Sequence, residues 1–260
     1  MSYETIESKF LASKEKGEVS SLLIRPDGAK WLVVLGHGAG TNMRHRTLET
    51  IAHRLADVGI ATFRYNFPYA EVGGGRNSNA VCMESVHSAV VAAHEAASDL
   101  SILVSGHSFS GRMSSMAASE EPLEHVSGLV FFSFPLHPSG KPSTERAEHL
   151  NDVTVPMLFL SGTRDKLADL DLLQSVCEEL DLATLHFLDT ADHGFKVLKR
   201  SRKTDEDVFV EMARGINEWV ARLESLEELL SNRNGVEPDF RPMFCPNESF
   251  GADAKLQQDE

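Results

Sequence analysis

The chain of 260 residues has few cysteines, no long apolar run and a shortage of basic residues. Its 3 cysteines are odd in number and show no CxxC spacing, which argues against a disulfide framework and a structural zinc site. No apolar run reaches the roughly 18 residues that a membrane-spanning helix needs. We therefore expect reduced thiols at Cys82, Cys177 and Cys245, no bound metal and no membrane span.

The charge balance is acidic, since 39 Asp and Glu residues face 25 Lys and Arg residues, for a formal net charge of −14. Such a surface repels phosphate backbones, so nucleic-acid binding is not expected, and it weakly disfavours strongly anionic substrates. The starting segment MSYETIESKF has neither the cationic start nor the apolar stretch of a secretory signal. We expect a cytoplasmic protein that is monomeric or weakly oligomeric.

Predicted strands and helices alternate along the chain. Strands are predicted at residues 6–12, 19–25, 31–35, 60–64, 100–105, 128–134, 155–161 and 183–188. Helices are predicted between most of them, the first capped by Asn42 and the last over residues 205–230. Strands joined by helices of this length form right-handed crossovers, so we expect an α/β protein with a mostly parallel sheet of seven or eight strands covered on both faces. Ligands bind such sheets at the carboxyl ends of the strands.

Two regions interrupt this alternation. Residues 136–152 are polar and contain prolines, which suits either a short lid over the substrate or a plain surface connection. Residues 231–260 have little periodicity and several prolines, as is typical of a flexible tail. We therefore predict one domain over residues 1–230 and a flexible acidic tail over residues 231–260.

The stretch LSILVSGHSFSGR, at residues 100–112, joins an apolar strand to a helix through a tight turn. Such a turn holds a serine hydroxyl, here that of Ser108, at the carboxyl edge of the sheet, where it can act as a nucleophile. Ser110 stands where a GxSxG pattern has its last glycine, and this departure is mild because serine is small. The competing explanation for Ser108 is an ordinary helix N-cap.

A serine hydroxyl is a weak nucleophile and needs a base that an acid orients. His193, in DTADHGF just past the last predicted strand, is the preferred base. Asp165, which ends FLSGTRD after the preceding strand, is the preferred acid. The sequence leaves six rivals open, namely the bases His37, His107 and His186 and the acids Asp169, Asp189 and Asp192.

An oxyanion hole is predicted from two backbone N–H groups. Phe109 begins the helix after Ser108, and Ala39 lies in the run LGHGAG after the first buried strand. Small residues there let the backbone approach a substrate, so the amides of Ala39 and Phe109 could hold a developing negative charge. Arg112 is predicted to make an ion pair or a carbonyl contact away from the substrate.

The order Ser, Asp, His is that of the α/β-hydrolase superfamily. HGAG, FRYNFPY, SGHSFSGR, SGTRD and DHGF together resemble its small, nearly lidless branch close to dienelactone hydrolases, in the subgroup of testis-expressed hydrolase-like proteins and their bacterial relatives. The resemblance covers about residues 18–222. It implies an α/β-hydrolase fold with a minimal lid, the nucleophile, acid and base roles for Ser108, Asp165 and His193, and the oxyanion role for Ala39 and Phe109.

We predict a serine hydrolase that acts on a small ester or thioester through an acyl-enzyme, without a metal or organic cofactor. One competing hypothesis is a catalytically idle subunit that binds a protein partner, since some eukaryotic relatives in this branch serve as complex subunits. Another is a nucleotide-binding domain that uses the glycines of GHGAG. An NAD-binding site wants an acid at the end of the next strand, where this chain has Arg64, so only an NADP preference would fit.

Overall fold

Eight strands form one open sheet in the order β1-β2-β4-β3-β5-β6-β7-β8. The computed structural model describes residues 3–232, and the side chains of residues 3–226. The strands are β1 Tyr3–Ser13, β2 Gly17–Pro26, β3 Trp31–Gly36, β4 Ala61–Tyr65, β5 Ser101–His107, β6 Val126–Phe132, β7 Met157–Gly162 and β8 Ala183–Leu188. β2 pairs antiparallel with β1 and with β4, and every other pairing is parallel. The predicted fold class is therefore confirmed.

Helices cover both faces of the sheet. The described α-helices are α1 Arg46–Asp57, α2 Pro68–Val72, α3 Asn79–Ala96, α4 Phe109–Glu120, α5 Leu170–Glu179 and α6 Val208–Asn232. Leu48 of α1 and Trp219 of α6 belong to the same apolar cluster as Val33 of β3. Val86 of α3 and Met113 of α4 belong to a second cluster on the opposite face.

The central strands are apolar throughout because both of their faces are buried. Every residue of β3, WLVVLG, and of β7, MLFLSG, is buried. Successive side chains of β3 alternate between the two apolar clusters: Leu32 and Val34 join one, and Val33 and Leu35 join the other. A parallel sheet covered on both sides produces this pattern of continuous hydrophobic strands.

The parallel register aligns the loops that follow the strands. Gly36 at the end of β3 pairs with Gly106 of β5. His107 of β5 pairs with Phe132 of β6, and Gly162 of β7 pairs with Leu188 at the end of β8. The segments that follow β3, β5, β7 and β8 therefore leave the sheet side by side at its carboxyl edge.

Two boundaries differ from the sequence prediction for local reasons. The strand predicted at 128–134 ends at Phe132, because Ser133 adopts a positive φ of 58° and leaves the sheet. The helix expected to be capped by Asn42 starts instead at Arg46, with His45 as its N-cap. The Asn42 side chain accepts a hydrogen bond from the N–H of Arg44 at 2.9 Å, which makes a turn before the helix.

The segment at residues 136–152 is tied to the body of the protein. It contains a 3-10 helix, Glu145–Asp152, which packs against α4. The hydroxyl of Ser115 on α4 lies 2.7 Å from Nε2 of His149. At the start of the segment, Nε2 of His137 accepts a hydrogen bond from the N–H of Asp169 at 2.8 Å. These bonds favour the surface-connection prediction over a free lid.

Some predictions fall beyond the described part of the chain. Residues 233–260, which make up most of the predicted acidic tail and include Cys245, lie outside it. The domain boundary at residue 230 and the tail thus stay predictions. Among the described helices, none combines the length and apolar composition that a bilayer-spanning segment requires.

Candidate active site

Ser108 sits at the junction of β5 and α4 in a backbone conformation that is rare for serine. Its φ of 55° and ψ of −110° lie outside the extended region that an N-cap normally adopts. Its side chain makes no capping hydrogen bond to the helix. A non-glycine residue in such a conformation costs about 1–3 kcal/mol. Because the Ser108 hydroxyl makes no bond to the helix and the backbone conformation is not that of an N-cap, helix capping does not explain the serine at this position.

Glycines make the tight turn around Ser108 possible, because side chains at their positions would overlap its atoms. A Cβ atom on Gly106 would overlap the side chain of Ser110 and the backbone N of Gly111. A Cβ on Gly36 would lie 2.6 Å from Cβ of Ser110. Ser110 takes the place of a motif glycine because Gly36 leaves space for it, and its hydroxyl donates to the carbonyl of His107 at 3.2 Å. The departure from GxSxG is thus absorbed by the neighbouring strand.

Three side chains predicted from separate strand ends meet at one point. Nε2 of His193 lies 2.8 Å from Oγ of Ser108. Nδ1 of His193 lies 2.7 Å from Oδ2 of Asp165. An ionised carboxylate can only accept a hydrogen bond, so the imidazole proton resides on Nδ1 and Nε2 is left to accept the hydroxyl proton of Ser108. The arrangement polarises the serine hydroxyl toward a base.

Asp165 is held rigidly for this contact. Its side chain is fully buried, and its Oδ1 accepts a hydrogen bond from the N–H of Leu167 at 2.8 Å. The N–H of Arg164 donates to the carbonyl of Ala191 at 2.9 Å, which ties the loop after β7 to the loop that carries His193. Gly162 allows this approach, because a Cβ there would overlap the carbonyl of Ala191.

The rival histidines are engaged elsewhere. His37 is buried and bridges two loops, since its Nε2 accepts from the N–H of Phe67 at 3.1 Å and its Nδ1–H donates to the carbonyl of Gly38 at 2.8 Å. Nε2 of His107 donates to the carbonyl of His193 at 3.0 Å. His186 lies within β8 and contacts Glu211 at 3.0 Å.

The rival carboxylates also have other partners. Asp169 caps α5, accepting from the N–H of Leu172 at 3.2 Å. Asp189 accepts from the N–H of Lys203 at 2.7 Å. Asp192 accepts from the N–H of Gly194 at 3.0 Å and thereby shapes the loop around His193. Only Asp165, among these acids, contacts the histidine that contacts Ser108.

The backbone at Ala39 is oriented by its neighbour. The carbonyl of Gly38 accepts hydrogen bonds from His37 at 2.8 Å, from the N–H of Thr41 at 3.1 Å and from the Thr41 hydroxyl at 3.0 Å. Because the C=O and N–H of a trans peptide point in opposite directions, the N–H of Ala39 faces away from these partners. Within residues 3–232, neither this amide nor that of Phe109, at the start of α4, donates to another residue. Both are available to a ligand.

Two histidines support the site in ways that sequence patterns did not indicate. His107 holds the backbone of His193, and His37 holds the loop of Ala39. Burial lowers the pKa of each imidazole to about 4. Both side chains are therefore neutral at pH 7. A neutral imidazole has one donor and one acceptor nitrogen: His37 uses both, and His107 uses its donor. In the sequence, His37 and His107 stand next to the predicted motif residues. That position indicated that they could compete with His193 as the base, but it did not indicate a supporting role.

This neutrality predicts a pH-dependent stability. An unfolded histidine titrates near pH 6.5, so between pH 6.5 and 4 the unfolded chain binds protons that folded His37 and His107 do not. Their stabilising effect is complete above pH 6.5 and is lost as pH falls toward 4. We expect His37→Gln to flatten the decrease in unfolding free energy between pH 7 and 5, by up to about 1.4 kcal/mol per pH unit. Urea unfolding at pH 7, 6 and 5 measures this slope, and an unchanged slope would contradict the assignment.

Two arginines lie differently from their sequence-based assignments. Arg64, which the nucleotide-binding hypothesis placed at the edge, is buried, and its Nη1 donates to the carbonyl of Met43 at 2.9 Å. Its guanidinium is therefore buried and bonded to the backbone, and is not presented to a 2′-phosphate at the sheet edge. The predicted ion pair or carbonyl contact of Arg112 is wrong: its Nε is buried without a hydrogen-bond partner among the described residues.

The open, mostly parallel sheet with a serine at the turn between β5 and α4 defines an α/β hydrolase. Residues 29–221 match a family described as an alpha/beta hydrolase domain. That match spans most of the chain, and the protein therefore belongs to the α/β-hydrolase domain family. The resemblance predicted from the motifs is confirmed at this level.

Solved structures share the fold at low sequence identity. A dienelactone hydrolase from Anabaena variabilis has 18% identity and a TM-score of 0.66, over 85% of this chain and 99% of that chain. An esterase from Pyrococcus furiosus has 16% identity and a TM-score of 0.67, over 86% and 92%. A serine hydrolase without a lid from Xanthomonas campestris has 17% identity and a TM-score of 0.65, over 85% and 96%. These likenesses show that this chain shares its fold with a dienelactone hydrolase and with two other hydrolases.

Proposed function

We propose that this α/β hydrolase is a serine esterase or thioesterase that works through an acyl-enzyme. The observation that carries the proposal is the continuous hydrogen-bonded chain from Ser108 through His193 to Asp165, with contacts of 2.8 and 2.7 Å. A hydroxyl within reach of an oriented imidazole is the arrangement that nucleophilic catalysis requires. The strained backbone at Ser108 fixes that hydroxyl without a capping bond that would compete for it.

In the first half-reaction, Oγ of Ser108 attacks the substrate carbonyl carbon while Nε2 of His193 takes the hydroxyl proton. The carbonyl oxygen becomes negatively charged, and the N–H groups of Ala39 and Phe109 are proposed to hold it. Asp165 keeps its charge and stabilises the imidazolium. The proton on Nε2 then passes to the leaving alcohol or thiol as the tetrahedral intermediate collapses, which leaves an acyl ester on Ser108.

In the second half-reaction, His193 takes a proton from a water molecule, whose oxygen attacks the acyl ester. Collapse of the second intermediate breaks the bond to Oγ, which regains its proton from Nε2. The products are a carboxylic acid and free enzyme, so the cycle balances without a cofactor. Each oxyanion donor contributes about 3–4 kcal/mol to transition-state stabilisation in such sites.

A labelling experiment tests this proposal. We expect a fluorophosphonate probe to modify the folded protein once, at Ser108, and expect no labelling after urea denaturation, because activation requires the assembled site. Peptide mass spectrometry identifies the modified serine. p-Nitrophenyl esters of two to twelve carbons, run in parallel, measure the acyl-length preference.

The labelling outcome also separates this proposal from its main competitor. If Ser108 is not modified and all esters are inert, the esterase proposal fails and the idle-subunit hypothesis gains support. We further propose that the enzyme acts in the cytoplasm as a monomer or weak oligomer, in keeping with the free, buried thiols of Cys82 and Cys177.

A further inference from the structure

Three arginines lie on separate segments around the turn that holds Ser108. Arg76 lies in the loop before α3, and its guanidinium carbon is 4.9 Å from the ring centroid of Phe109, the residue after Ser108. Arg112 lies one turn along α4 from Ser108, and its backbone N–H donates to the carbonyl of Ser108 at 3.2 Å. Arg146 lies on the 3-10 helix Glu145–Asp152. We call these three residues the arginine cluster.

The backbone fixes the positions of the cluster. The loop that carries Arg76 is anchored because Oδ1 of Asn77 accepts from the N–H of Tyr69 at 2.8 Å. Nη1 of Arg146 donates to the carbonyl of Pro135 at 3.4 Å, in the segment that follows β6. Since β6 pairs with β5, this contact places Arg146 at the same edge of the sheet as Ser108.

Within the part of the chain that the structure describes, the arginine cluster has no acidic partner. No described carboxylate lies within 4 Å of its guanidinium groups, although the protein is acidic overall. Six other arginines do have such a partner, namely Arg25, Arg44, Arg54, Arg64, Arg202 and Arg214. Arg112 is half-buried, and its buried Nε has no hydrogen-bond partner among the described residues. A buried, unsatisfied donor on a cation is costly unless a ligand completes it.

The three cations also act on one another. Burial lowers the pKa of the Arg112 guanidinium, and the positive charges of Arg146 and Arg76 lower it further. An arginine nevertheless stays protonated at neutral pH. The cluster thus places two further positive charges near the half-buried guanidinium of Arg112, and a bound anion would reduce this repulsion and offer an acceptor to Nε of Arg112.

We propose that the arginine cluster is a subsite for the phosphate group of an ester substrate, an inference that rests on the proposed esterase function. A phosphate monoester carries a charge of about −1.5 to −2 and three acceptor oxygens. Three guanidinium groups are therefore better matched by a phosphate on the substrate than by a carboxylate, which has a single charge and two oxygens. Arg112 follows Ser108 by four residues, which corresponds to a rise of about 6 Å along a helix. The phosphate of a bound substrate would therefore lie a few bonds from the carbonyl that Ser108 attacks. The local charge would then outweigh the weak bias against anionic substrates that the net charge suggested.

A matched pair of substrates tests the subsite. 1-Butyrylglycerol 3-phosphate and 1-butyrylglycerol differ only in the phosphate, and butyrate release gives kcat/KM for each. We expect the wild-type enzyme to prefer the phosphate ester about tenfold or more, and Arg112→Gln or Arg76→Gln to reduce the ratio of the two kcat/KM values about tenfold. Arg54→Gln makes the same charge change at a partly exposed arginine of α1, which pairs with Asp57, and should keep the wild-type ratio.

Further variants guard against a merely structural effect. Arg112→Lys keeps the charge but loses the paired donors, so its ratio should fall between those of the wild type and Arg112→Gln. Circular dichroism and urea unfolding check that each variant is folded. A wild-type ratio of one or less, or an unchanged ratio in Arg112→Gln, would overturn the subsite. A stronger preference for 4-butyryloxybutanoate would overturn the phosphate assignment in favour of a carboxylate.

A binding measurement keeps the subsite testable without turnover. Isothermal titration of glycerol 3-phosphate into the Ser108→Ala variant should show binding. Adding Arg112→Gln to that variant should raise the Kd about tenfold, and adding Arg54→Gln should leave the Kd unchanged. If Ser108 is unlabelled and all esters are inert while this binding depends on Arg112, the esterase proposal fails and the subsite stands. If esters are hydrolysed and the binding does not depend on Arg112, the subsite fails and the esterase proposal stands.

Discussion

Replacing Ser108 by alanine should reduce kcat for a p-nitrophenyl ester by about 10³- to 10⁶-fold, the range that follows loss of an activated serine. The physical reason is that Oγ of Ser108 is the nearest group that His193 can deprotonate, at 2.8 Å from Nε2. Residual hydrolysis would come from the oxyanion donors and from substrate binding. The measurement is initial-rate hydrolysis at saturating ester, with the same preparation tested for fluorophosphonate labelling.

The matched control for this variant is Ser119→Ala on the same helix. The Ser119 hydroxyl donates only to the carbonyl of Met116, at 2.9 Å and far along α4 from the turn. We expect its kcat to stay within about twofold of wild type. Alanine at residue 108 keeps the same positive φ of 55°, so the unfolding free energy should change by less than about 1 kcal/mol. Full esterase activity in folded Ser108→Ala would refute the proposed nucleophile.

The second large effect is expected for Asp165→Asn, which should reduce kcat by about 10⁴-fold. The N–H of Leu167 donates to Oδ1 of Asp165 at 2.8 Å, so in the variant the amide oxygen should take that place. The amide NH₂ then faces Nδ1 of His193, which must accept instead of donate. The imidazole proton moves to Nε2, and the hydroxyl of Ser108 loses its acceptor.

Asp169→Asn is the matched control for this change of tautomer. Asp169 caps α5, and asparagine caps a helix about as well as aspartate does. We expect kcat within about twofold of wild type for this variant. Retention of more than about a tenth of the wild-type kcat by Asp165→Asn would indicate that another acid orients His193. Asp189 and Asp192 would then be the next variants to measure.

The positions of the three site residues were predictable because the strands that deliver them are strongly patterned. Ser108, Asp165 and His193 follow β5, β7 and β8, and a parallel sheet brings the carboxyl ends of these strands to one edge. Chain order then assigned a serine, an acid and a base to different strand ends. The choice of His193 over His37 and His107 was a preference only, since all three follow strands at that edge.

Contacts between distant segments were not predictable from sequence patterns. His37 lies 30 residues from Phe67, and its role depends on the relative positions of the loops after β3 and β4. The short helix α2 is not predictable from the sequence, because five residues do not show helical periodicity. The sequence around Arg112 does not show whether a carboxylate lies nearby, so it predicted an ion pair or a carbonyl contact there.

The sequence by itself determined the fold class and the edge at which a site would form, because hydrophobic periodicity and small residues at strand ends are local properties. Only the tertiary structure decided which side chains share hydrogen bonds there, because those contacts join residues that are 85 positions apart, as Ser108 and His193 are. It also decided that Gly36 leaves space for Ser110, and that Arg76 and Arg146 act electrostatically on Arg112 with no described carboxylate within 4 Å of the three guanidinium groups. Such encounters depend on how helices and loops pack, and no single segment encodes that packing.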